Sequence, residues 1–192
     1  ALGAEVVKAE PPAGDRARGE GPFVGESPHP EKSCLYLYVN AGKLGITLNL
    51  ESPRGRRIFE QLTESADVLV EDTPPGTLDA LGLGYSRLSR INRRLVVTSI
   101  TPFGQTGPYR DYKAYHINTY HSGGDGYLLQ SGPESLSLPP MTGGGHMGDF
   151  EAGGSAALAT VAALFASQVS GEGQHVDVSK QEALLALNRD TA

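Results

Sequence analysis

Asp67-Val68-Leu69-Val70 and Leu95-Val96-Val97-Thr98-Ser99-Ile100 decide the fold. Each is a compact apolar run that reads as a strand. Each is closed by turn chemistry, Glu71-Asp72-Thr73-Pro74-Pro75-Gly76 after the first and Thr101-Pro102-Phe103-Gly104-Gln105-Thr106-Gly107-Pro108 after the second. Between them the sequence predicts short helices over 77–81 and 86–92. Ahead of them, Ser52-Pro53 is a strong helix start: serine can cap free amides, and proline lacks only an N–H that has no partner there. Ile58, Phe59, Leu62 and Ala66 follow at helical spacing. Strand, helix, strand, helix, strand is the order of a parallel sheet with helical crossovers, an α/β fold. Ligands of such sheets sit beyond the carboxyl ends of the strands, which singles out the two turns.

Working outward, residues 4–9 read as a short strand, 10–32 as a long loop without a period, and 46–50 as an alternating strand. Downstream, 123–148 is rich in glycine and proline and reads mostly as a surface excursion. It delivers Gly148-Asp149 to the longest helix, expected over 150–168, which is apolar on most faces and expected to be buried. Gly171-Glu172-Gly173 stops that helix. Residues 174–178 form the next expected strand, and Ser179 caps a final helix.

The composition fits a soluble globular protein: 192 residues, 39% hydrophobic and 20% charged. With 16 basic against 22 acidic residues the net charge is −6, which argues against a nucleic-acid partner but leaves room for a small anionic ligand. No unbroken run of 18 apolar residues occurs, so no membrane span is expected. The start shows no signal-peptide pattern, and the single cysteine, Cys34, cannot form an intrachain disulfide. A reducing, cytoplasmic setting is the expectation, with Cys34 as a small buried hydrophobe. The chain opens without methionine and closes on an apolar helical pattern, so both ends are read as cuts through a larger fold.

Asp149 leads the candidates for chemistry. A glycine-rich loop brings it to a helix start, whose positive end favours the carboxylate. Such an ion can act as a nucleophile; an ordinary N-cap is the bland alternative. Among His29, His116, His121, His146 and His175 the spacings match no usual metal site, and none is expected. An acid/base pair of His116 or His146 with Asp149 is the stronger alternative. The arginines at 54, 56, 57, 87, 90, 93 and 94 are interleaved with acidic residues and read as a solvated surface. Lys113 lies in a loop beyond a strand end, where a phosphate could be held. Gly123-Gly124-Asp125-Gly126 matches no nucleotide-binding pattern.

In order along the chain, several blocks resemble the class III CoA-transferases, the carnitine-CoA and formyl-CoA transferase family. They are Ala4-Glu5-Val6-Val7-Lys8-Ala9-Glu10-Pro11-Pro12, Asn40-Ala41-Gly42-Lys43 with Leu48-Asn49-Leu50, and Ala66-Asp67-Val68-Leu69-Val70-Glu71 with Pro75-Gly76. Leu81-Gly82-Leu83-Gly84-Tyr85, Asn92-Arg93-Arg94-Leu95-Val96 and Phe103-Gly104-Gln105-Thr106-Gly107-Pro108-Tyr109 continue the series. Gly148-Asp149-Phe150-Glu151-Ala152-Gly153 and Gly171-Glu172-Gly173-Gln174-His175-Val176-Asp177-Val178 complete it.

The resemblance implies a Rossmann-like large domain spanning 1–192. It would lack the family's first strand and helix and its second, smaller domain, and alone would be inactive. It implies CoA transfer from an acyl-CoA to a carboxylic acid through an anhydride and a thioester on Asp149. No covalently bound cofactor is implied; coenzyme A enters as the acyl-CoA substrate. Lys113, Ala114, Tyr115, His116, Asp72, Thr73, Pro74, Leu48 and Asn49 fall where the family contacts CoA. An interlocked homodimer is implied for the full-length protein, with no nucleic acid and no membrane. The chain departs from the family pattern at Asp72-Thr73, where Asn-Phe is common, and at Pro11, where some members carry a basic residue. α-Methylacyl-CoA racemases share the superfamily. Their histidine aligns with Tyr115, which favours the transferase; proton transfer by His116 and Asp149 is the alternative, and a non-catalytic lobe of a larger assembly is the third.

Overall fold

The computed structural model describes residues 3–25, 27–128, 139, 141 and 143–187. The chain divides into two compact units, Ala1–Phe59 and Glu60–Ala192. Of the expected excursion over 123–148, residues 129–138, 140 and 142 lie outside the described residues.

In the first unit, β1 (Val7–Glu10) and β2 (Leu44–Thr47) pair in parallel, with Val7 opposite Leu44 and Glu10 opposite Thr47. Both strands are displaced from their expected positions, β1 toward the carboxyl end and β2 toward the amino end. Two short elements interrupt the expected loop and the segment after it: a 3-10 turn at Arg16–Gly19 and helix α1 (Cys34–Val39). Ser33 caps α1 by accepting the Tyr36 N–H at 3.2 Å. Cys34 opens that helix and is only partly buried, a correction to its expected core role.

The turn and helix serve one carboxylate. Glu10 accepts from Arg18 Nε at 2.7 Å, Arg18 Nη2 at 3.0 Å and the Asp15 amide at 3.0 Å, and from the Tyr36 hydroxyl. The Arg18 guanidinium also lies 3.9 Å from the centre of the Tyr36 ring. The Arg18 bonds lead in holding the Glu10 pKa down at about 2, against the opposing effect of burial. Burial, then Glu10, pushes the Tyr36 phenol up to about 12.

Helix α2 (Pro53–Ser65) starts as the sequence predicts, with Ser52 Oγ accepting the Gly55 N–H at 3.0 Å. Gly55 is required there, because a Cβ would run into the Asn49 carbonyl.

The second unit holds β3 (Val68–Glu71), β4 (Val96–Thr101) and β5 (His175–Ser179), all parallel, with β4 in the centre. Helices α3 (Thr77–Ala80) and α4 (Tyr85–Ile91) cross from β3 to β4. Helices α5 (His116–Ser122), α6 (Asp125–Leu128) and α7 (Met147–Ser170) cross from β4 to β5, and α8 (Lys180–Leu187) follows. β4 is buried almost throughout, as the central strand must be. Leu83, Leu88, Leu95, Tyr120 and Leu184 fill the core, and each leucine contributes about 1.5–3 kcal/mol by leaving water. Polar ties fix the layers. Thr98 Oγ1 and Thr160 Oγ1 lie 2.7 Å apart between β4 and α7, and Asn92 Nδ2 donates to the Thr63 and Ala66 carbonyls.

Helix α7 departs from expectation. Gly148, Ala152 and Ala156, then Ala163 and Ser167, are its buried residues. Their four-residue spacing makes one stripe of small side chains, and the helix packs on β4, β5 and α8. Its large side chains point away: Leu158 is 75% and Val169 76% exposed, and Phe150, Val161 and Phe165 are exposed too. Close approach to a sheet selects small residues on one face, so apolar character all round did not mean burial all round. By length and composition alone, α7 is long and apolar enough to cross a membrane. The lack of an unbroken apolar run concealed that.

Candidate active site

The three parallel strands end on one edge, at Glu71, Thr101 and Ser179. Helix α7 is the crossover into β5, so it runs back against the strands and returns its N-terminus to that edge. Lys180 is the first residue beyond β5. Chain direction therefore brings Asp149 and Lys180 together, although 31 residues separate them: Lys180 Nζ donates to Asp149 Oδ1 at 2.8 Å.

Asp149 is not an N-cap. His146 holds that position, and Asp149 lies inside the first turn with its side chain turned to Lys180 and to His146 Nδ1, 3.4 Å from Oδ2. Burial pushes its pKa up, but the Lys180 hydrogen bond and charge, with the His146 hydrogen bond, outweigh this and hold it below the ordinary 3.8. The helix terminus favours the same charge. The carboxylate is thus ionised, held at Oδ1 by Lys180 and approached at Oδ2 by His146, and with its side chain 34% exposed it stays open to a reactant.

His116 sits one turn of packing away. Its Nε2 accepts the Gly148 N–H at 3.0 Å, and its ring stacks on Tyr120 with centroids 5.3 Å apart. A nitrogen that accepts an amide hydrogen bond must keep its lone pair, so His116 pins the start of α7 through a neutral Nε2. Gly148 fits because a Cβ would come within 3.1 Å of that nitrogen and 3.3 Å of Leu184. Glu151, one turn into α7, has its carboxyl pushed up by burial and by Asp125.

The expected CoA contacts fall in several places. Lys113 and Tyr115 are exposed, and Ala114 is half-buried. Thr73 and Pro74 line a shallow cleft in the second unit together with Tyr85, Ser99, Gln105 and His175; Asp149 does not line it. Asp72, beside them, is exposed. Ser99 Oγ lies 2.9 Å from His175 Nε2, and Tyr85 stacks on the same ring. The loop after β4 is pinned where the Gln105 N–H donates to both oxygens of Asp177, at 3.1 and 2.9 Å. Leu48 and Asn49 belong to the first unit: the Leu48 N–H donates to the Glu10 carbonyl, and Asn49 Oδ1 accepts from the Glu51 amide. Among the described residues, no cluster of histidine, cysteine and carboxylate side chains could hold a metal ion.

Sequence reasoning missed Lys180. One signal could have found it: a cation directly after the expected strand over 174–178, at the carboxyl edge where ligands bind.

Comparison with known proteins gives the same direction. The description "CoA-transferase family III" matches residues 1–192. The chain is 43% identical over 182 residues to the BbsE subunit of succinyl-CoA:(R)-benzylsuccinate CoA-transferase from Thauera aromatica, covering 95% of this chain and 43% of that protein. It is 38% identical over 188 residues to the acetyl-CoA:oxalate CoA-transferase of Acetobacter aceti, covering 97% and 46%. A crystal structure of a CAIB/BAIF family protein from Brucella suis superposes with a TM-score of 0.84 at 33% identity, covering 97% of this chain and 48% of that one. The chain thus spans less than half the length of these relatives. A match across all its residues, carried by the same parallel α/β fold, is sufficient for one conclusion: the chain belongs to CoA-transferase family III.

Proposed function

We propose that the protein carrying this chain moves CoA from an acyl-CoA thioester to a carboxylic acid, with Asp149 as the nucleophile. The observation that carries the reading is the ionised, partly open Asp149 carboxylate at the strand-end edge, paired with Lys180. Its oxygen attacks the thioester carbonyl, the C–S bond breaks, and CoA leaves as thiolate from a mixed anhydride. The thiolate attacks the Asp149 carbonyl carbon and releases the donor acid, leaving an aspartyl-CoA thioester. An acceptor carboxylate repeats the two exchanges in reverse and departs as the new acyl-CoA.

In this reading Lys113, Ala114, Tyr115 and His116, with Asp72, Thr73 and Pro74 and with Leu48 and Asn49, contact CoA. Residues 1–192 serve as part of the large domain of a cytoplasmic homodimer. The engagement of His116 Nε2 by the Gly148 amide weighs against His116 as the acid/base of a racemase.

Mass spectrometry of the whole protein after mixing with succinyl-CoA or acetyl-CoA tests this. A hydroxylamine-sensitive adduct on Asp149 is expected. Exchange of the α-proton of an acyl-CoA with deuterium, without acceptor acid or adduct, would establish the racemase instead. No adduct and no binding of either thioester would leave the non-catalytic lobe.

A further inference from the structure

Lys180 stands where a charge must change hands during CoA transfer. Its ammonium lies 2.8 Å from Asp149 Oδ1, and the two side chains are 28% and 34% exposed, so the pair is partly desolvated yet reachable. Among the described residues Lys180 makes no second ion pair. His146 carries charge only when protonated, and His116 commits Nε2 to a backbone amide. Among the described residues Lys180 is therefore the permanent cation beside the Asp149 carboxylate.

The transfer reaction removes that carboxylate's charge. When the Asp149 oxygen bonds the donor acyl carbon, the electron pair of the broken C–S bond leaves on sulfur. When the thiolate then bonds the Asp149 carbonyl carbon, the anhydride C–O bond breaks and the donor acid departs with the charge. Asp149 is now an uncharged thioester, and Lys180 has lost its partner. A partly buried cation without its anion is unfavourable, and it attracts the next anion to arrive.

We propose that Lys180 is the docking cation for the acceptor acid, pairing with Asp149 in the resting site and with the acceptor's attacking carboxylate once Asp149 is a thioester. The proposal rests on Asp149 as the nucleophile. In the following exchange the acceptor oxygen bonds the Asp149 carbonyl carbon and the thiolate leaves; the thiolate then bonds the acceptor's carbonyl carbon. Asp149 departs as carboxylate, and its ion pair with Lys180 re-forms. An ammonium is a compact point charge, so Lys180 recognises a carboxylate and leaves discrimination among acids to other groups.

The test is steady-state and half-reaction kinetics of the whole protein and its Lys180→Met and Lys180→Arg variants. The probes are succinyl-CoA with (R)-benzylsuccinate and acetyl-CoA with oxalate, using the pair that the wild type turns over. In Lys180→Met the KM of the acceptor should rise about ten- to a hundred-fold, the worth of one charge-assisted hydrogen bond. Adduct formation without acceptor should slow as well, because Lys180 also pairs with Asp149, but by a clearly smaller factor, and the KM of the thioester should change least. Lys180→Arg, which keeps the charge, should recover most of the loss. If thioester KM, adduct formation and acceptor KM deteriorate by the same factor in a variant that melts like the wild type, Lys180 merely holds Asp149 in place and the proposal falls. If the wild type itself forms no adduct, the nucleophile reading fails first and takes the proposal with it.

Discussion

Glu10 and Asp149 are both carboxylates held below their ordinary pKa by a basic side chain, yet their surroundings differ in kind. Glu10 is surrounded: two Arg18 nitrogens, the Tyr36 hydroxyl and the Asp15 amide consume its acceptor capacity, and its side chain is 8% exposed. Asp149 has Lys180 on one oxygen and His146 at 3.4 Å from the other, with a third of its side chain open. A depressed pKa therefore does not distinguish a structural ion from a reactive one. Spare acceptor capacity and an approach path do. A saturated carboxylate holds its unit together, whereas one with fewer partners and an open face is free to react.

Substitution at each carboxylate sharpens the contrast. Asp149→Asn should lower CoA transfer by about a thousand-fold or more, because it removes the proposed nucleophile, and should abolish the hydroxylamine-sensitive adduct while lowering the melting temperature less than Glu10→Gln does. An asparagine variant with full activity would place the chemistry elsewhere. Glu10→Gln should do the reverse. It breaks a buried ion pair and leaves Arg18 uncompensated, destabilising the protein by about 3 kcal/mol in chemical denaturation, with any adduct still forming on Asp149. Wild-type stability in Glu10→Gln would show that the cluster contributes nothing.

Acid provides a smaller effect. Glu10 titrates in the folded state at about 2 rather than the ordinary 4.5. Its contribution is therefore present above about pH 4.5 and is lost as pH falls toward 2. Asp149, also lowered, acts in the same direction. Denaturation followed across that window should steepen with acidification, and Glu10→Gln should flatten the slope more than Asp149→Asn. Equal slopes would erase the distinction between the two sites.

The smallest effect is expected at Glu151, whose pKa is raised by burial and Asp125. Its protonated form is the one the fold favours, so stability is greatest below the ordinary glutamate pKa and declines as pH rises through the raised value. Glu151→Gln should remove that decline, giving a melting temperature at neutral pH equal to or slightly above wild type. A clearly lower melting temperature would mean that the charged form is the stabilising one.

Much of the second unit was legible in the sequence. The apolar runs at 67–70 and 95–100 became β3 and β4, each displaced by one residue, and in the first unit Ser52-Pro53 opened α2 as expected. These signals are local: a cap, a turn or a periodicity is decided by neighbouring residues. The first unit was less legible. Arg16–Gly19 and Cys34–Val39 carry weak helical patterns, and they are ordered around Glu10 by contacts across many residues.

By itself, then, the sequence determined a parallel α/β fold, the family, and an aspartate delivered by glycines to a helix start. Tertiary structure decided what surrounds that aspartate. Lys180 reaches Asp149 because α7 returns to the carboxyl edge where β5 ends, and His116 reaches Gly148 because α5 begins at the start of α7. It also decided which face of α7 is buried, since only a sheet pressed against the helix distinguishes its small-residue stripe from its large apolar side chains. Pairings of this kind depend on strand order and crossover direction, which no window of neighbouring residues encodes.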